Sequence, residues 1–299
     1  MTDGGGGRAQ AQGVLRLGSH SFEPGRLLVM AIVNRTPDSF FNAGETWEES
    51  AAMERVHQVI ADGADIVDIG GVPAAPGQNV DVGEEIGRTA GFVAAVRALY
   101  PTVAISSDTW RHEVAAEVCA AGADLINDSW GGWDAALPGV VAAAGAGLVC
   151  AHVGRQHPRT RPHRVSYPDV MADVLERTQR LAARAVTAGV DESRIVIDPA
   201  HDFGKNTWHS LEVTRRLGEM VATGWPVLVS LSRKDFVGET LDLPLQDRLA
   251  GTLCATSISA WLGARIFRAH DVAATRQTLD MVASIKGERP PSRTVRALA

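Results

Sequence analysis

The chain has 299 residues, 45% of them hydrophobic, enough to bury a large core, and α/β barrels of about 200–250 residues form single domains. A formal net charge of −6 and an isoelectric point near 5.8 argue against a nucleic-acid partner, which favours a basic surface. No run approaches the ~18 consecutive apolar residues of a membrane span, and the Gly-rich, polar residues 1–13 lack the apolar stretch of a signal peptide, so a cytoplasmic location is expected.

Short β-branched runs alternate with amphipathic stretches. A first strand is predicted over residues 27–33, followed by a helix over 47–62 whose Met53, Val56, Val59 and Ile60 share a face. A second strand covers 65–69 and a helix about 84–99. Strands at 103–106 and 124–126 flank a helix over about 111–121, which Gly122 stops. A weaker helix over 134–144, broken by Pro138-Gly139, leads to a fifth strand at 147–151. A long helix over 169–188 precedes a sixth strand at 194–197, and a helix near 208–221 precedes a seventh at 226–230. Residues 244–262 read as helix, 265–267 as an eighth strand and 272–285 as a closing helix. Eight β/α units in one run predict an eight-stranded parallel β/α (TIM) barrel, with a doubly wound open sheet as the alternative, since strand order is not written in the spacing. The expected organisation is a disordered tail over 1–14, one barrel domain over 15–286 and a surface tail over 287–299. Cys119, Cys150 and Cys254 are widely spaced among apolar residues and lack CxxC spacing, which speaks against disulfides or a zinc site and predicts buried core positions.

Polar clusters recur where apolar runs end: Asn34-Arg35-Thr36-Pro37-Asp38-Ser39-Phe40, Ser107-Asp108-Thr109, Asn127-Asp128, Asp198 to Lys205, Ser232-Arg233-Lys234 and Arg268-Ala269-His270-Asp271. Singly, each has a structural explanation. Pro37-Asp38-Ser39 has turn chemistry, Asp108, Asn127-Asp128 and Asp198 suit helix caps, and Arg268 and His270 suit an ion pair with Asp271. Capping does not explain why three late strands end in Asp198, in Lys234 and in Arg268 with His270. In a barrel these groups open onto one mouth with Asn34, Asp108 and Asn127. Two carboxylates and an amide suit a ligand rich in N–H donors, such as an amino-substituted heterocycle. A Lys–Arg–His group beside them suits phosphate oxygens.

These clusters, with Asp198-Pro199, Phe203-Gly204-Lys205 and the 248–252 segment, resemble dihydropteroate synthase, in the same order from about Leu27 to Ile285. The resemblance implies that Asp108, Asn127, Asp198 and Lys234 hold a pterin ring. It implies that Arg268 and His270 bind the diphosphate, that Ser232 meets p-aminobenzoate, and that Asn34 helps hold magnesium. Lys234, Arg268 and His270 are the implied catalytic set. A homodimer through outer helices near the C-terminus is implied as well. In that family diphosphate leaves a pterin methylene and an arylamine attacks the cation-like carbon, so fixed positive charge is needed where negative charge develops.

One segment departs from the pattern. Where the family reads Gly-Gly-Glu-Ser-Thr-Arg-Pro-Gly, this chain reads Gly70-Gly71-Val72-Pro73-Ala74-Ala75-Pro76-Gly77. The turn frame is kept, but Ala74 replaces a threonine and Ala75 the arginine that grips the leaving group. Arg35 follows Asn34 where a small apolar residue is usual, Asn42-Ala43-Gly44 replaces Asp-Gly-Gly, and Ala200-His201-Asp202 replaces Gly-Ile-Gly, which is expected to crowd the ring pocket. The expectation is a synthase homologue that recognises a pterin-like or phosphate-bearing molecule with little or no synthase activity. The alternatives are an active synthase in which Arg35 compensates, a non-enzymatic ligand-binding or regulatory protein, and an enzyme acting on another anionic heterocycle.

Overall fold

The computed structural model describes residues 13–36, 48–77, 79–154, 156–160 and 164–296. The expected turn at Pro37-Asp38-Ser39-Phe40, the altered Asn42-Ala43-Gly44, Trp47 and residues 1–12 of the tail lie outside the described residues. A short antiparallel hairpin comes first, β1 (Leu15–Leu17) and β2 (His20–Phe22). The repeating part begins with β3 (Leu28–Asn34), α1 (Glu49–Ala61), β4 (Ile66–Gly70), α2 (Val82–Leu99), β5 (Ala104–Asp108), α3 (His112–Ala120), β6 (Leu125–Asp128) and α4 (Leu137–Ala144). It continues with β7 (Gly147–Ala151), α5 (Val170–Thr187), β8 (Ile195–Asp198), α6 (Thr207–Arg215), α7 (Leu217–Val221) and β9 (Leu228–Ser230). The last elements are α8 (Asp235–Leu241), α9 (Leu249–Trp261), β10 (Ile266–Ala269) and α10 (Val272–Ile285).

From β3 onward the strands are parallel and pair in the order β8-β7-β6-β5-β4-β3-β10-β9. A parallel bridge between Ile197 and Val227 joins the two ends of that order. The eight-stranded parallel β/α barrel read from the sequence is therefore the fold, and the open-sheet alternative falls.

Strand side chains alternate between two faces, and that alternation builds both the core and the mouth. Val29, Ala31, Val33, Val67, Ile69, Ile105, Ile126, Leu148, Ile195, Ile197, Val229 and Phe267 point outward and join the apolar faces of the helices in one large core. Leu28, Met30, Ile66, Ala104, Leu125, Val149, Val196, Leu228 and Ile266 point inward and fill the lower barrel. Two residues further along many of the same strands the inward positions are polar: Asp68, Ser106, Asn127, Asp198, Ser230 and Arg268.

The hairpin plugs the lower end, with Leu15, Leu17 and Phe22 packed into the inner core. Fully buried Arg265 ties it there, donating to the carbonyls of Gly13 at 2.7 Å, Phe22 at 2.6 Å and Glu23 at 2.8 Å. Three-residue strands are too short to show a period, so the sequence did not reveal them.

Other boundaries moved for local reasons. Pro138 lies in the first turn of α4 rather than breaking a helix that starts at 134, because a first-turn residue needs no N–H partner. The helix expected near 208–221 is divided at Arg216, whose φ of −98° and ψ of 11° interrupt it. The expected helix over 244–262 begins as a 3-10 turn, Leu245–Asp247, before α9, and α8 was not foreseen. Cys150 is buried and Cys119 half-buried, but Cys254 is exposed on the outer face of α9, so the expectation of a core position fails there. No helix among the described residues is long and apolar enough to cross a membrane.

Asp128, at the end of β6, is buried and accepts from the backbone N–H of Trp130 at 3.1 Å and Gly132 at 2.7 Å, which shapes the next loop. Burial pushes its carboxyl up to about 7, against the pull of those two donors. The folded protein thus holds a proton that the unfolded chain releases above about pH 4. This contribution is fully present below the unfolded value and is lost as pH rises through about 7. Relative to the parent, Asp128→Asn should gain stability on the order of 3 kcal/mol between pH 4 and 7 and no more above it. Urea unfolding of both proteins across that range measures this, and a pH-independent difference would refute it.

Candidate functional site

The C-terminal mouth encloses a cavity of about 740 Å3, and Asn34, Asp108, Asn127, Asp198, Ser232, Lys234, Arg268 and His270 all line it. Strand register brings them together. Asn34 pairs with Gly70, Gly70 with Asp108, and Asp108 with Asn127, in one row across four strands. From the other side, β8 delivers Asp198 and β10 delivers Arg268.

Arg268 organises the floor. Its Nε donates to Asp68 at 2.6 Å and its Nη2 to Asp108 at 2.9 Å. Asn127 Nδ2 lies 3.4 Å from the same Asp68 oxygen, and Ser129 Oγ donates to Asp108 at 2.8 Å. Burial works against the guanidinium charge, but Asp68 and Asp108 outweigh it and hold Arg268 above its ordinary value. Burial pushes the Asp108 carboxyl up to about 6 in spite of Arg268. Asp68 is fully buried and was missed by the sequence reading. Its signal was an acidic residue in mid-strand, Ile66-Val67-Asp68-Ile69.

On the opposite wall Asp198 is also buried, and burial raises it despite nearby Lys234. Its carboxylate accepts from the Ala200 N–H at 2.6 Å. Lys234 donates to the His201 carbonyl and lies 4.9 Å over the Phe203 ring. Ser232 Oγ accepts from the His270 N–H at 3.2 Å and sits 2.9 Å from His270 Nδ1. Burial, followed by the charge of Arg268, lowers His270 to about 3, so its imidazole is neutral at physiological pH. Neither Asp108 nor Asp198 caps a helix. Asp271 pairs with Arg233 at 2.8 Å, not with Arg268 or His270.

Lys205 holds the 200–204 turn from beneath. Its ammonium reaches the carbonyls of His152 at 3.0 Å, Ala200 at 3.2 Å and Phe203 at 3.1 Å, and His152 Nδ1 at 2.7 Å. Burial lowers Lys205 to about 7. His152 Nε2 meets Asp173 at 2.7 Å. Phe203 in turn stands edge-on to Trp130 at 5.3 Å, and Trp130 to Trp110 at 6.2 Å, so one wall of the cavity is aromatic.

Val72, Pro73, Ala74 and Ala75 form another part of the lining and present no polar side chain. Arg35 does not replace the missing guanidinium. It turns to the outer helix, with Nε 3.4 Å from the Arg88 carbonyl and its guanidinium 5.0 Å over Phe92. Instead, Arg159 reaches the altered loop from the β7–α5 connection, donating to the Ala75 carbonyl at 3.3 Å. His201 does not crowd the ring pocket either. It is buried behind the mouth, 3.0 Å from Thr214 and stacked on Phe236. Asp202 does line the cavity, with its carboxylate accepting from Ser210 at 3.0 Å and the Phe236 N–H at 3.2 Å.

Comparison with known proteins matches this geometry. The family model described as pterin binding enzyme covers residues 30–270. The chain is 58% identical over 278 residues to the inactive dihydropteroate synthase 2 of Mycobacterium tuberculosis, spanning 92% of this chain and 87% of that protein. It is 37% identical over 249 residues to the dihydropteroate synthase of Bacillus subtilis, spanning 83% and 84%. The Yersinia pestis dihydropteroate synthase, solved with a sulfonamide drug complex, superposes with a TM-score of 0.86 at 31% identity over 92% of this chain and 100% of that one. A barrel with this mouth and these relatives belongs to the pterin binding enzyme family, among the dihydropteroate synthases and their inactive homologues.

Proposed function

We propose that this protein keeps the ring-recognition half of a dihydropteroate synthase site and has lost the synthase reaction. The observation that carries the reading is the cavity lining at Ala74 and Ala75, whose side chains are methyl groups with no donor to offer. Asp108, Asn127 and Asp198 retain a set of acceptors for the N–H edge of an aminopterin-type ring, and Lys234 over Phe203 closes that part of the pocket. The departing diphosphate needs donors fixed in advance. Arg268 already divides its fork between Asp68 and Asp108, and His270 is neutral. The loop adds no guanidinium. Loss of one preorganised donor costs about 10²–10³ in turnover, and a transition-state arginine is worth about 10³–10⁵.

The amide oxygen of Asn34 suits magnesium, which takes oxygen ligands and keeps several waters when protein supplies only one or two. When bound with a diphosphate, the ion would neutralise part of its charge. Asn34 would orient it, and the chain's own residues would still lack the loop donors that stabilise the leaving group.

The test measures binding and turnover separately. Calorimetry should detect a pterin ring bound by the parent protein, while turnover with pterin diphosphate, p-aminobenzoate and magnesium falls at least ~10²-fold below a family member with the full loop. Restoring the loop by Val72→Glu, Pro73→Ser, Ala74→Thr and Ala75→Arg should raise turnover. Ordinary synthase turnover by the unmodified chain, absent in a Lys234→Ala control, would overturn the reading.

The protein is further proposed to be a cytoplasmic homodimer. Support comes from Ile258 and Trp261 on α9 and Met281 and Ile285 on α10, adjacent helices whose large apolar side chains are exposed in the single chain. Light scattering at micromolar concentration should give a dimer mass, and Trp261→Asp should shift it towards the monomer. A monomeric parent would rule this assembly out.

A further inference from the structure

The turn that follows β8 is strained. Ala200, Asp202 and Gly204 take left-handed backbone, with φ of 48°, 68° and 58°. Glycine adopts such angles freely, whereas a Cβ crowds the backbone there, fully in alanine and less in aspartate, whose carboxylate can bond locally. Ala200 and Asp202 are the two positions where the synthase pattern has glycine, so strain enters this turn through substitutions in this chain. Residues in such conformations persist only where their surroundings over-determine them.

Here side chains do the holding. Buried Lys205, with three donors, faces four acceptors: the carbonyls of Ala200 at 3.2 Å, Phe203 at 3.1 Å and His152 at 3.0 Å, and His152 Nδ1 at 2.7 Å. The His152 ring is fixed for this contact, because its Nε2 meets Asp173, which also accepts from Arg177 at 2.7 Å. Lys234 donates to the His201 carbonyl, and the Tyr167 hydroxyl to the Gly204 carbonyl at 2.6 Å. Four of the turn's five carbonyls are therefore held by side chains rather than by a sheet or a helix. Two costs oppose this closed form: the backbone strain and the buried ammonium. Burial lowers Lys205 to about 7, although Asp198, Asp202 and Asp173 attract its charge. Both costs fall together when the turn lifts and Lys205 reaches water.

We propose that residues 200–204 form a strained flap that Lys205 latches shut, and that the flap opens as one unit while the barrel stays folded. Gly204 is its pivot, packed so closely that a Cβ there would strike the Val153 carbonyl. Opening carries Phe203 off its edge-on contact with Trp130 and releases Lys234 from the His201 carbonyl. One wall of the mouth is thereby gated by the chain's own backbone, with no bond made or broken.

Amide hydrogen exchange of the full chain, read by mass spectrometry on peptides across the turn, tests the flap. In the closed form the N–H groups of Asp202, Phe203 and Gly204 are bonded to Ser210 Oγ, the Ala200 carbonyl and Gln156. They should exchange together, at least about tenfold faster than the amides of β8 and with little dependence on dilute urea, as local opening requires. Ala200→Gly relieves the closed form and should slow this exchange about three- to tenfold. Lys205→Met keeps the length and apolar stem of the side chain without its donors, and should speed the exchange at least about tenfold. Neither change should alter exchange in β3 or β4. Turn amides that exchange only at the rate and urea dependence of β8, or that ignore Ala200→Gly, would overturn the flap. Unaltered exchange in Lys205→Met would overturn the latch. So would failure of Lys205→Met to fold, since Lys205 would then carry the barrel and not a local segment.

Discussion

The interaction on which the rest of the structure depends is the contact of Arg268 with Asp68 and Asp108. It joins three strands of the barrel across its interior, from β10 to β4 and β5. Asp68 is fully buried, and a buried charge left without its partner costs about 3–5 kcal/mol. The polar floor of the cavity and the stability of the barrel are therefore one network. Asn127 and Ser129 join it by hydrogen bonds, so the orientation of the ring-facing acceptors is inherited from the same ion cluster.

The segment from Gly71 to Gly77 stands outside that network. Ala74 and Ala75 are exposed, and neither bears a group whose loss strands a buried charge. Side chains there touch none of the barrel's buried charges, whereas exchange of Arg268 strands the buried carboxylates of Asp68 and Asp108, and exchange of either carboxylate takes one of the two partners from the guanidinium. This difference accounts for a mouth in which the recognition groups and the emptied loop coexist. Catalytic donors on a surface loop are energetically separable from the scaffold that positions the ring.

The eight-stranded barrel was legible because apolar runs alternate with helical stretches and most of the runs end in polar residues, as from Met30 to Asn34 and from Leu125 to Asn127. The eight residues expected at the mouth share that origin, and they line one cavity. Asp68 was passed over because a lone carboxylate in an apolar strand carries no partner in its own neighbourhood. Its partner, Arg268, is 200 residues away. The N-terminal hairpin was hidden by its length. Cys254 was misread because apolar neighbours in sequence do not say which face of a helix meets the core.

Residue types and spacing determined the repeated strand–helix unit, the polar strand ends and the absence of polar side chains between Gly71 and Gly77, since these follow from local periodicity and composition. Only the tertiary structure decided where the long side chains go. Arg35 and His201, both suspects for the mouth, turn away to Phe92 and Phe236, while Arg159 and Arg164, which the sequence did not mark, reach its rim. The physical reason is that a strand residue's face follows from its register. The aim of a flexible cationic side chain depends on which carbonyls, carboxylates and rings the closed barrel places within its reach.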